Sequence, residues 1–157
     1  QAHRALSLRL ALQSITLVRD TASLLPLKLS ESCLVVETSA GKGLGKALGA
    51  SFIQVADQPT SKEIEQVVQT AFDGRAVVVA TTDASRNSKQ VELVNALLKA
   101  KVRVVVAAMR SPYDLQVLPE VGTYLATYGS NPATLAALAK VLRGEAAAGG
   151  KLPVEIK

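Results

Sequence analysis

The sequence predicts an α/β fold: a three-layer α/β/α sandwich around a mostly parallel sheet, closed by a short C-terminal edge strand. Three observations lead there. The runs "CLVVE" (33–37), "AVVVAT" (76–81) and "VRVVVAA" (102–108) are almost wholly apolar, as strands covered on both faces must be. Amphipathic stretches alternate with such runs, which calls for helices packed on a parallel sheet. The 157 residues are 48% hydrophobic, enough for one buried core. No low-complexity linker divides them, so 1–157 reads as a single sandwich domain.

The elements follow in order. "AHRALSLRLALQ" (2–13) places Ala5, Leu8 and Leu12 at helical spacing, so 1–13 reads as a leading helix. "SITLV" (14–18) is β-prone. "RDTASLLPLKL" is turn-like up to Pro26. After the strand 33–37 comes a short helix, "GLGKALGA" (43–50), then a strand, "SFIQV" (51–55). "SKEIEQVVQTAF" (61–72) is a helix with Thr60 and Ser61 as N-cap candidates. "SKQVELVNALLKA" (88–100) carries Val91, Val94, Leu97 and Leu98 on one side. "YLATY" (124–128) reads as a strand, and "NPATLAALAKVLRG" (131–144) as a helix. In the latter, Asn131 is the N-cap, Pro132 the first helical residue and Gly144 the stop. "GEAAAGG" (144–150) is read as a flexible connection to a final strand, "KLPVEI" (151–156), which Pro153 assigns to an edge.

Composition excludes several functions. The net charge is +5, but the 18 basic residues are scattered and aromatics make up only 3%, with no tryptophan. That is not the clustered, aromatic-interleaved charge of a nucleic-acid binder. No apolar run reaches the roughly 18–20 residues of a membrane span. Cys33 is the only cysteine and His3 the only histidine, so no internal disulfide, metal centre or Cys-His device is expected. No cofactor motif is present. The loop "TSAGKGLGKALG" (38–49) invites a phosphate-loop reading that its spacing defeats. Gly41 and Gly45 are one residue too close, Ala47 stands where a Ser or Thr would hold magnesium, and Lys46 occupies the third glycine position of a dinucleotide fingerprint. Its amides, with Lys42 or Lys46, remain a candidate anion site.

Ligands of such sheets bind off the carboxyl ends of the strands, which selects the loops after Glu37, Thr81, Met109 and Tyr128. In "TTDASRN" (81–87), Asp83 and Arg86 are candidate ligand groups. The plainer reading has Asn87 or Ser88 capping the next helix and Asp83 supporting the turn. In "RSPYD" (110–114), Arg110 suits a carboxylate, Tyr113 a stacking surface, and Asp114 lies close by. The plainer reading has Pro112 setting the turn and Asp114 capping a short helix "DLQVL" (114–118). Glu37, Asp57, Asp83 and Asp114 share one sheet edge, and sequence gives no separations between them. No catalytic set emerges.

Three stretches in order carry a resemblance: "SITLVRDTASLLPL" (14–27), "RSPYDLQVLPEVGTYLATYGSNPATLAALAKVLRGE" (110–145) and "GKLPVEI" (150–156). Together they resemble the C-terminal domain of family 3 glycoside hydrolases, above all the bacterial β-N-acetylhexosaminidases. The resemblance implies a parent with an N-terminal (β/α)₈ barrel, from which residues 1–13 would lead. It implies a retaining hydrolysis of N-acetylglucosaminides, with a nucleophilic Asp on the barrel and, in the hexosaminidase branch, a His–Asp acid/base pair there as well. Relatives of the β-glucosidase branch take an acid/base Glu from the C-terminal domain, and no Glu here matches it. No catalytic residue is therefore carried over. Asp83, Arg86, Arg110, Tyr113 and Asp114 are expected to serve a ligand or interdomain surface. The expected partners are the barrel and, through the parent, a carbohydrate. The compartment is left open, cytoplasmic or secreted with the parent. Two alternatives stand beside this reading: a stand-alone module binding a small molecule or carbohydrate at the strand-end loops, and an independent small enzyme using Asp83 or Glu37.

Overall fold

The structure, a computed structural model, describes residues 1–27, 33–71 and 74–151. Six strands form one sheet: β1 (Thr16–Asp20), β2 (Cys33–Glu37), β3 (Ser51–Gln54), β4 (Ala76–Thr81), β5 (Arg103–Ala108) and β6 (Thr123–Ala126). Their order is β1-β6-β5-β4-β2-β3. All neighbours run parallel except β1, which pairs antiparallel with β6. The helices are α1 (Ala2–Ser14), α2 (Leu44–Leu48), α3 (Ser61–Ala71), α4 (Ser88–Lys99) and α5 (Pro132–Arg143).

The apolar strands are buried on both faces because alternate residues feed two cores. Val35, Val78, Val105 and Leu125 pack with α1, α2 and α5. Leu34, Val77, Val79, Val106 and Tyr124 pack with α3 and α4. This is the three-layer sandwich that the sequence predicts.

Local signals place most helix ends. Thr60 and Glu63 form a reciprocal capping box: the Glu63 N–H donates to Thr60 Oγ1 and the Thr60 N–H to Glu63 Oε1, both at 3.1 Å. Asn131 Oδ1 accepts from the Thr134 N–H at 2.9 Å, Pro132 opens α5, and Gly144 ends it in the left-handed region. At α4 the expectation holds in position only, with Asn87 as the N-cap residue. Asn87 makes no side-chain cap. Its Nδ2 donates to the carbonyls of Thr82 and Asp83 instead, fastening the preceding loop.

The N-terminal strand sits two residues later than expected. Arg19 and Asp20 belong to β1, because Arg19 reaches the carbonyls of Pro119 and Val121 and Asp20 accepts from the Thr123 hydroxyl. Tyr128 lies beyond β6 in a left-handed conformation, φ 59°. The 144–150 connection is tied down at its end: Gly149 and Gly150 donate to the carbonyls of Leu12 and Ile15. The expected final strand beyond Lys151 lies outside the described residues.

Candidate functional site

The carboxyl edge of the sheet is where a ligand would sit, above all beside β2 and β4. The chain leaves β2 toward β3 at one edge and then crosses to β4 on the other side, so the two strand ends bracket the topological switch point. In this molecule the crevice is filled by the protein's own groups. The hydroxyls of Thr38 and Thr82 meet at 2.6 Å, and Thr38 Oγ1 also donates to the Ala80 carbonyl at 2.6 Å. Both threonines are buried.

The glycine-rich loop is closed in the same way. The Ser39 N–H donates to Asp57 Oδ1 at 2.9 Å, the Ala40 N–H to Thr82 Oγ1 at 3.0 Å, the Gly41 N–H to the Thr38 carbonyl, and the Gly43 N–H to Glu37 Oε1 at 2.9 Å. Glu37, itself buried, occupies the place of an anion. Lys42 and Lys46 point to solvent. The amides of Ser39, Ala40, Gly41 and Gly43, four of those the anion-site expectation would use, are thus already taken within the fold. Gly41 is required by packing: a Cβ there would collide with the Ala80 Cβ.

Sequence reasoning missed Gln90. It is fully buried in the first turn of α4 and makes three hydrogen bonds. Its Oε1 accepts from the Thr82 N–H at 2.9 Å, and its Nε2 donates to the carbonyls of Asp57 at 2.8 Å and Thr82 at 2.9 Å. One amide thus binds the loops after β3 and β4 to each other. The available signal was its spacing. Gln90, Leu93, Val94 and Leu97 fall at i, i+3, i+4 and i+7, the inner face of the helix.

Asp114 is the second inward group. The 3₁₀ turn Pro112–Val117 after β5 is capped by Ser111, whose Oγ accepts from the Tyr113 N–H, and not by Asp114 as expected. Asp114 turns into the protein, where it accepts from the Thr81 hydroxyl at 2.8 Å and the Ser85 N–H at 3.4 Å. Burial is the main cause that pushes its carboxyl above the usual range, with neighbouring Asp83 adding to it and the hydrogen bonds opposing it. Tyr124 lies beside it, fully buried, and donates its phenol to the Pro112 carbonyl at 3.1 Å.

Of the five predicted site residues, Asp114 is therefore internal, Asp83 is partly buried and Arg110 is exposed. Asp83, in a left-handed turn with φ 49°, is 3.7 Å from Arg110 Nη1. Arg86 and Tyr113 are exposed. Glu37, Asp57, Asp83 and Asp114 each have a partner already: a backbone N–H, the Ser39 hydroxyl and N–H, Arg110, and Thr81. Among the described residues no group of three or more His, Cys, Asp or Glu side chains could hold a metal ion. Cys33 is buried and its thiol is pushed up to about 11 by desolvation. No described helix is long and apolar enough to cross a membrane.

With the edge described, the comparisons decide the family. The sequence profile of the glycosyl hydrolase family 3 C-terminal domain matches residues 15–157. The chain belongs to that family of domains. This family 3 domain is similar to a solved family 3 β-N-acetylglucosaminidase from Paenibacillus sp. str. FPU-7, with 31% identity and a TM-score of 0.84, covering 93% of this chain and 31% of that one. It is similar to a fungal multi-domain family 3 β-N-acetylglucosaminidase at 26% identity and TM-score 0.82, covering 99% of this chain and 19% of that one. A β-glucosidase from Listeria innocua, 14% identical with TM-score 0.79 over 92% of this chain and 25% of that one, shares the fold. The family 3 domain thus spans under a third of the solved chains to which it is similar. No curated protein sequence matches it.

Proposed function

We propose that this domain is the accessory C-terminal part of a retaining β-N-acetylglucosaminidase that removes terminal N-acetylglucosamine units, and that it contributes no catalytic group. The observation that carries the reading is the closed carboxyl edge, where Glu37, Asp57 and Asp114 are held by groups of the fold itself. The substrate class rests on the similarity to two family 3 β-N-acetylglucosaminidases at 31% and 26% identity. In this reading an N-terminal (β/α)₈ barrel of the parent supplies the nucleophile and the acid/base. Arg110 and Tyr113, with Asp83 and Arg86, present a polar rim toward the rest of the parent, and Asp114 holds that rim from below.

The test is an assay with the 4-nitrophenyl glycosides of N-acetyl-β-glucosamine and of β-glucose. The parent is expected to release nitrophenol from the first in preference to the second, with retention at the anomeric carbon by NMR. The isolated 157-residue chain is expected to release none above buffer. Turnover by the chain alone, or a parent that prefers the glucoside, would contradict the reading.

A further inference from the structure

We propose that the outer face of α1, with the groove beside it, is the surface on which the catalytic domain of the parent docks. This rests on the two-domain reading above and assigns the contact to a specific face.

Leu8, Ala11 and Leu12 turn α1 onto the core with α5. Leu6 and Leu10, one turn apart on the same stripe, remain 53% and 55% exposed. A groove of about 900 Å³ runs between α1 and the turn that leads from β6 to α5. Leu8, Leu10, Ala11, Tyr128, Pro132 and Ala133 give it its apolar wall. Tyr128 is also 37% exposed, with Tyr113 near enough to act on its phenol. Two adjacent exposed leucines, a groove and two surface tyrosines form a patch of the kind that another protein surface covers.

Three observations name the occupant. The family match begins at residue 15, so α1 lies outside the matched domain although it packs against it. The family 3 enzymes similar to this chain are more than three times as long as the part it covers, and the matched part is a C-terminal domain, so their remaining chain includes what precedes α1. Charge completes the argument. Among the described residues the groove is lined by His3 and Arg4 and by no Asp or Glu, and α1 as a whole carries Arg4 and Arg9 with no acidic residue. The segment that fits is apolar with a carboxylate to meet Arg4.

The experiment uses thiol labelling, for which the chain is suited because Cys33 is buried and its thiol pushed up to about 11. Leu10→Cys is compared with Phe52→Cys, an exposed position on β3 at the opposite edge of the sheet. Maleimide incorporation at pH 7 is followed by mass spectrometry of the peptides carrying residues 10 and 52. In the 157-residue chain both cysteines are expected to react quickly, at rates independent of protein concentration. In the full-length parent residue 10 is expected to react roughly ten-fold or more slowly while residue 52 keeps its rate. Unchanged labelling of residue 10, or equal slowing at both positions, overturns the docking face and leaves the two-domain reading intact. Slowing of residue 10 with concentration of the isolated chain assigns the face to a second copy and overturns the proposal. A native polypeptide no longer than this chain overturns both the proposal and the reading beneath it.

Discussion

Gln90→Leu is expected to destabilise the domain by about 2–4 kcal/mol, although leucine matches glutamine in size and suits a helix. Three bonds are lost, and their consequences differ. The Thr82 carbonyl keeps a partner in Asn87 Nδ2, at 3.0 Å. The Thr82 N–H and the Asp57 carbonyl lose the bonds that Gln90 gives them. Each group buried without a partner costs about 1–3 kcal/mol, and the sum of the two stays in the lower part of its range because the Asp57 carbonyl is only part-buried. For a chain of this length the melting temperature should fall by about 5–15 °C. Thermal unfolding of the isolated chain checks this, and a fall under about 2 °C would mean that water satisfies both groups and that the edge is open.

Asp114→Ala is expected to cost a similar amount, about 2–4 kcal/mol, by leaving the Thr81 hydroxyl and the Ser85 N–H without their acceptor and a void beside Tyr124. The pH dependence distinguishes the carboxylate from its shape. Burial raises the folded-state pKa of Asp114 above its unfolded value. The folded chain therefore binds the proton more tightly than the unfolded chain does. Ionisation lowers stability at neutral pH, and that loss is relieved as the pH falls through the folded value toward the unfolded one near 4. Asp114→Asn cannot titrate. The stability difference between the unaltered chain and Asp114→Asn should thus move in favour of the unaltered chain between pH 7 and pH 4. A difference that stays constant, or moves the other way, would show that the hydrogen bonds outweigh burial.

What could be read beforehand follows the range of the interactions. The inner strands β2, β4 and β5 were legible because burial on both faces demands continuous apolar residues. The start of α5 was legible because Asn131, Pro132 and Thr134 act on one another within a single turn. Asp114 was misread as a cap because its true partners, Thr81 and Ser85, are 33 and 29 residues away. Arg19 and Asp20 looked like a turn because what holds them extended lies about a hundred residues along the chain, at Val121 and Thr123. Glu37 looked like a candidate acid at a strand end, and only the fold-back of residues 38–43 reveals that it serves the Gly43 N–H. The residues that close the edge are polar and sit where ligand-binding residues would sit. Composition and spacing do not separate the two uses.

The central claim is that this edge is complete without a ligand. Amide hydrogen exchange in the isolated chain tests it most directly, read at Ser39, Ala40, Gly43 and Thr82 with and without N-acetylglucosamine. The account predicts slow exchange at all four in the free chain, because each N–H already donates to Asp57, Thr82, Glu37 or Gln90, and no change on adding the sugar. Fast exchange in the free chain that slows when the sugar is added would contradict it and make the carboxyl edge a binding site.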